Sequence, residues 1–218
     1  MKLIAPSKAE TAQMPPFPGL PPSRIHVPAN AADFAAASAA IKAARMVGFD
    51  TESKPTFVTG DVSEGPHVVQ FATLSDAYLF QLNRADCRLY LLELLQSEDL
   101  VKVGFGLQSD HGQIHANLGI RLSAVLDLNK VFRQDGYGSS MGVRAAVGVV
   151  LQQRFHKSKK ITTSNWAVRE LTEKQRIYAA NDAFAALKVL EALGRPLDTL
   201  PLSGLKSDAC DAPEAAIE

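Results

Sequence analysis

No window of this sequence approaches the roughly 20 consecutive apolar residues that a membrane-spanning helix needs, and Met1 to Glu10 lacks the apolar stretch of a secretory leader. A membrane partner is not expected, and the reading places the chain in the cytoplasm. Cysteine is almost missing: Cys87 and Cys210 stand far apart, which excludes a disulfide framework or a paired metal-ligand spacing and fits a reducing compartment. Neither sign of charge is in excess. Lys plus Arg and Asp plus Glu both number 23 among 218 residues, so any attraction to phosphate must come from local clustering. What is present is an ordinary globular composition. With 46% hydrophobic and 21% charged residues, wholesale disorder is excluded, and the length suits one domain with a full core. No internal repeat is visible.

Pro15, Pro16, Pro18, Pro21, Pro22 and Pro28 break up the N-terminal segment, so residues 1–28 are expected to form an extended arm, loose or lying across the domain surface. Residues 29–200 are expected to form the folded domain. Residues 201–218 read as a C-terminal tail whose acidic, Ala-rich end, from Ser207, frays. Within the domain, Asn30 caps an Ala-rich helix to about Arg45, and Met46 to Glu52 alternates as a strand. Pro66 to Thr73 and Ala77 to Leu82 read as a hairpin turning at Ser75 and Asp76. Next come a helix from Arg84 to Gln96 burying Leu91, Leu92, Leu94 and Leu95, and a strand from Leu100 to Phe105. A helix from Ser109 to Leu118 and a strand from Ala124 to Leu128 follow.

The best-marked element is the last long helix. Thr172 and Gln175 make a capping box, Gly194 and Pro196 supply the stop, and Ile177, Ala180, Phe184 and Leu187 form the core stripe. Tyr178 and Asp182 are read as lying beside that stripe. The fold class is therefore α/β, a mixed sheet of five or six strands flanked by helices.

On the strand ending at Glu52, side chains alternate, so Asp50 and Glu52 share one face. Two neighbouring carboxylates repel, and a hard divalent cation between them, magnesium or manganese, relieves that. An edge strand facing water permits the same pair. Tyr178 and Asp182, four apart, share one helix face. Asp110 stands in the first turn of a helix, where the helix dipole alone favours an acid. Arg154, Lys157, Lys159 and Lys160 give a cationic run with no acid, either a solvated loop or a phosphate-backbone contact. Trp166 is expected to pack in the core, with base stacking as the alternative.

Together, Asp50-x-Glu52, a lone Asp110 after a Gly-containing strand, and Tyr178-x-x-x-Asp182 on a late helix resemble the three motifs of the DEDDy 3′-5′ exonucleases. The runs Thr163-Ser164-Asn165-Trp166, Leu171 to Arg176 and Tyr178 to Ala183 are similar to ribonuclease D and the Werner-syndrome exonuclease domain, as are Val68 to Phe71 and Tyr78 to Phe80. The likeness covers Val47 to Leu193. It implies an RNase H-like fold and hydrolysis that releases nucleoside monophosphates from a 3′ end of single-stranded or 3′-ended nucleic acid. It further implies two divalent cations, Mg2+ or Mn2+, with Asp50, Glu52 and Asp182 on one and Asp50 bridging to a second that Asp110 holds largely through water. Tyr178 would orient or deprotonate the attacking water, and Lys157, Lys159 and Lys160 would meet the substrate. The helical accessory domain of ribonuclease D is not expected after the motif helix, which leaves processivity and substrate choice open.

The rival reading is a dinucleotide-binding oxidoreductase, because Gly104-x-Gly106-x-x-Ser109 joins a strand to a helix and Asp127 ends the next strand. The third glycine is missing, the spacing falls after a meander instead of in a first βαβ unit, and no nucleotide cofactor is expected. His111 and His115 lack the glutamate of a zinc-hydrolase helix. A catalytically inactive nucleic-acid-binding module is the third possibility, opposed by the full set of acids.

Overall fold

The computed structural model describes residues 3–56, 60, 62–138 and 141–205. The tail expected from Ser207 onward, with Cys210, lies outside the described residues. The helices are α1 (Lys8–Ala12), α2 (Ala31–Ala44), α3 (Cys87–Gln96), α4 (Gln108–Leu118), α5 (Leu128–Gln134), α6 (Val143–Ala146), α7 (Lys159–Thr162) and α8 (Glu173–Leu193). The strands are β1 (Ile25–His26), β2 (Met46–Glu52), β3 (Val68–Ala72), β4 (Ala77–Gln81), β5 (Val101–Gly104) and β6 (Val125–Asp127).

All six strands join one sheet in the order β1-β4-β3-β2-β5-β6. The meander β2-β3-β4 is antiparallel, whereas β1, β5 and β6 are added in parallel. The sheet is therefore mixed, as the alternation of patterns predicts. β1 comes from the proline-rich segment, which thus contributes a strand as well as the short helix α1. β2 lies between β3 and β5, but β5 pairs only with Met46 to Gly48, and Asp50 and Glu52 extend past it; with Glu52 buried and Asp50 half-buried, the pair still does not face open water.

Alternation along the strands sorts the side chains into two layers. Val47, Phe49, Val69 and Phe71 point to one core shared with Phe34 and Ile41 of α2, Leu91, Leu94 and Leu95 of α3, and Ile114 of α4. Leu92, expected to be buried, is 39% exposed, because it falls at the margin of the stripe that Leu91, Leu94 and Leu95 fill. Lys102 on β5 is fully buried, and its ammonium donates to the carbonyls of Leu94 (3.4 Å) and Ser97 (2.7 Å) at the end of α3. It satisfies acceptors that a helix C-terminus leaves free, and burial brings its pKa down to about 7.

The opposite face belongs to α8. Its capping box is formed, with Thr172 and Gln175 side chains each accepting from the other's backbone N–H, and Gly194 ends it in the left-handed region at φ 60°. Between Tyr178 and Leu190 only Asn181 and Lys188 escape burial. Tyr178 and Asp182, 8% and 4% exposed, are thus buried and not merely beside the core stripe. Ile177, placed on the stripe by its spacing, is only half-buried. The reason is size. Ala179, Ala180, Ala183, Ala185 and Ala186 let the helix sink into the sheet on several sides at once, as an apolar all-round helix does.

Candidate active site

Gly48 sets how near α8 comes to β2. A Cβ there would lie 1.9 Å from the carbonyl oxygen of Ala183, so only glycine permits the approach. Gly48, Asp50 and Glu52 share one strand face, and Asp182 immediately precedes Ala183. The contact that Gly48 allows therefore carries Asp182 to the two strand acids. One carboxylate oxygen from each of Asp50, Glu52 and Asp182 lies within 4.8 Å of the others. Among the described residues His111 and His115 join no comparable cluster.

Asp110 reaches the same region from the first turn of α4. The Thr51 hydroxyl donates a short hydrogen bond to its Oδ1, and the Ser109 hydroxyl lies 3.4 Å from Oδ2. Asp50 Oδ1 accepts from the Thr51 backbone N–H at 3.0 Å. Asp182 is buried, with both carboxylate oxygens shut off from solvent. The Lys157 ammonium forms an ion pair with Asp182 Oδ2 at 3.0 Å and stands 5.8 Å from the centre of the Tyr178 ring. Lys159 and Lys160 are exposed on α7 and take no part in this pairing. The cationic run thus divides: Lys157 at the acids, its neighbours outside.

The electrostatics follow from crowding in a dry place. Burial first, then Asp110 and Asp182, pushes Asp50 well above the carboxylate range. Burial, then Asp50 and Asp182, pushes Glu52 up to about 10. Burial raises Asp110 and Asp182 too, against the hydrogen bonds of Thr51 and the charge of Lys157. For Lys157, burial favours the neutral amine, but Asp182 and Asp50 outweigh it and hold the proton on.

Such acids bind protons in the folded state that the unfolded chain releases, so their stabilisation is full below about pH 4 and declines as pH rises toward 10. In chelator, the unfolding midpoint of the wild type is expected to fall between pH 5 and pH 6.5 relative to that of Glu52→Gln. His67, held below its usual value by burial, acts with the opposite sign in this range, and the paired comparison cancels it. Parallel midpoints in the two chains would mean that Glu52 ionises freely.

Tyr178 is fixed by two neighbours that are themselves joined. Its hydroxyl shares a 2.7 Å hydrogen bond with the Thr162 hydroxyl, its ring packs 6.0 Å from that of Trp166, and the Trp166 indole N–H donates to Thr162 O at 3.3 Å. Trp166 is buried, as expected of a core residue. Gln175 ties the preceding loop to α8 through Ser164 Oγ and the Asn165 carbonyl, both at 3.1 Å. Burial, followed by the charge of Asp182, raises the Tyr178 pKa, so the phenol keeps its proton.

The sequence reading missed Gln70. It pairs in register with Asp50 on the neighbouring strand, is fully buried, and has neither amide atom hydrogen-bonded. Directly opposed residues share a face, so an unsatisfied amide stands beside the acids. A polar residue in the otherwise apolar run Val68 to Ala72 was the available signal.

The dinucleotide reading fails on a specific contact. Asp127 Oδ1 accepts from the Gly106 N–H at 2.9 Å and the Asn129 N–H at 3.0 Å, so the loop amide that would meet a pyrophosphate is directed to a carboxylate.

A family model described as 3′-5′ exonuclease matches residues 25–198, including every acid of the cluster. The chain belongs to the 3′-5′ exonuclease family. The mouse bifunctional 3′-5′ exonuclease/ATP-dependent helicase WRN is 29% identical over 162 residues, which are 73% of this chain and 12% of that protein. The chain therefore spans a small part of this relative. Among solved structures, the Aedes aegypti Nibbler EXO domain superposes with a TM-score of 0.67 at 26% identity, covering 79% of this chain and 88% of that one. Trypanosoma brucei RNase D in complex with RNA U12 gives 0.70 at 19% identity, with 84% and 68% covered. The six-stranded sheet and its helices are thus an RNase H-like exonuclease fold. In this exonuclease fold, the group formed by Asp50, Glu52 and Asp182 can hold a metal ion.

Proposed function

We propose that this chain hydrolyses nucleic acid from the 3′ end to nucleoside monophosphates, using two divalent cations held by Asp50, Glu52, Asp110 and Asp182. The observation that carries the reading is the meeting of three carboxylates on a central strand and a buried helix, with Lys157 the one cation paired to them among the described residues. Three carboxylates facing a single ammonium leave an excess of negative charge that is costly to bury. An all-oxygen, anionic donor set suits magnesium or manganese. Asp50, Glu52 and Asp182 would share one ion, and Asp50 and Asp110 the other. Ions bound there would supply water activation, neutralisation of the scissile phosphate and stabilisation of the leaving oxygen.

The chain's own groups do the rest. Tyr178, kept protonated and anchored by Thr162, orients a water through its hydroxyl and does not serve as the base. Lys157, charged and facing Asp182, would be free to meet the phosphate if the acids' charge were taken up by metal. Lys159 and Lys160, exposed nearby, meet the strand's backbone electrostatically. A nucleic-acid substrate accords with the relative solved with RNA U12, and the phosphate chemistry is common to DNA and RNA.

The test uses DNA and RNA oligomers labelled at either end, with magnesium, with manganese and with chelator. Mononucleotide release from the 3′ end, abolished by chelator, is the expected result. Undiminished degradation in chelator, or cleavage of a circular single strand, would overturn the reading.

A further inference from the structure

Lys174, Ile177, Tyr178 and Asn181 of α8, at i, i+3, i+4 and i+7, share one helix face. Together with Phe17 and Phe155 it walls a cavity of about 340 Å3. Tyr178 is common to this cavity and to the acidic site. From Tyr178 to Asp182 is about one helical turn, roughly 6 Å along the axis.

The N-terminal arm builds the outer wall and is held firmly there. The Phe17 N–H donates to Arg154 O at 3.0 Å, the Arg154 N–H to Pro15 O at 2.8 Å, and the Leu20 N–H to Asn181 Oδ1 at 2.8 Å. At Gly19, with φ of +61°, a Cβ would lie 2.7 Å from Asn181 Oδ1, so the arm turns against that side chain with no room to spare. The Phe17 ring is tilted against Phe155 at 5.6 Å and Phe184 at 5.8 Å. All these arm residues precede the family-matched residues 25–198, so this wall is an addition to the matched domain.

We propose that the cavity receives one nucleobase of the bound strand, with its sugar-phosphate backbone running past Tyr178 toward the carboxylates. The proposal rests on the exonuclease reading above. Aromatic and aliphatic walls accept the flat face of any base, which is how sequence-tolerant single-strand sites work. Asn181 offers the base edge an amide nitrogen that donates to no group among the described residues, its oxygen being taken by Leu20. Lys174 lines the cavity, and α7 borders it through Ile161 while carrying the exposed Lys159 and Lys160, so cations flank an apolar slot as a polyanion with stackable bases requires. The one-turn offset lets a strand join both places within one or two nucleotides.

The experiment measures, by fluorescence anisotropy with magnesium present, binding of a short 5′-labelled single strand whose 3′ linkages are hydrolysis-resistant phosphorothioates. An abasic residue replaces each position in turn from the 3′ end. One position near that end is expected to weaken binding roughly 5- to 100-fold, the range of one lost base stack. Two variants should erase this position dependence. Phe17→Ala removes a wall, and Ile177→Trp fills the cavity while leaving the arm's contacts in place. An equal cost at every position, or an unchanged position dependence in both variants, would overturn the proposal. Lack of 3′-end degradation of an unmodified strand, with the position dependence intact, would instead remove the exonuclease reading and leave the base site standing.

Discussion

Asp50→Asn is expected to lower 3′-end degradation by on the order of 10³-fold or more, toward background, a loss at the upper end of what one electrostatic group contributes. On the proposed reading Asp50 serves both ions, because Asp110 and Asp182 are near enough to raise its pKa and it raises that of Glu52 in turn. Losing it weakens both ion positions at once. Calorimetric titration with manganese should show the weakened binding directly. The metal-free chain should become more stable, since a buried like-charge neighbour of Glu52 and Asp182 is gone. Full activity in this variant would mean that the chemistry lies elsewhere.

Tyr178→Phe should behave differently. The ring stays, so the contact with Trp166 and the burial against the sheet persist, and no ligand oxygen is removed. Metal affinity is expected to remain near wild type. Turnover in a single-turnover experiment should drop by roughly 10²–10⁴-fold, the range of a positioned hydrogen-bonding or proton-transfer group. Since the phenol is held protonated, the loss should not vary with pH across the neutral range, as it would for a titrating base. Full turnover would reduce Tyr178 to packing and deprive the site of its water-orienting group.

The local marks in the sequence translated well into elements. The capping box at Thr172 and Gln175, the Asn30 cap and the alternation before Glu52 all describe contacts between residues near in sequence, and such contacts are written in spacing. What the spacing could not show was depth. Tyr178 and Asp182 were read as flanking residues because a helix wheel separates one stripe from the rest, and it does not reveal that five alanines let α8 sink until most of its circumference is covered. Gln70 escaped for a similar reason: its significance is its register opposite Asp50, a fact of pairing between strands. The run containing Lys157, Lys159 and Lys160 looked uniform, yet one loop turn separates an ammonium beside Asp182 from two facing water. The arm's prolines told that it was not a regular helix, but not that its Phe17 and Leu20 would fasten it beside the site.

The three acids come from distant parts of the chain, two on β2 and one on α8. Until α8 settles on Gly48, Asp182 cannot stand beside Asp50 and Glu52. The group that could hold a cation is therefore a product of the finished tertiary fold, and a chain in which α8 is undocked has no such group to offer.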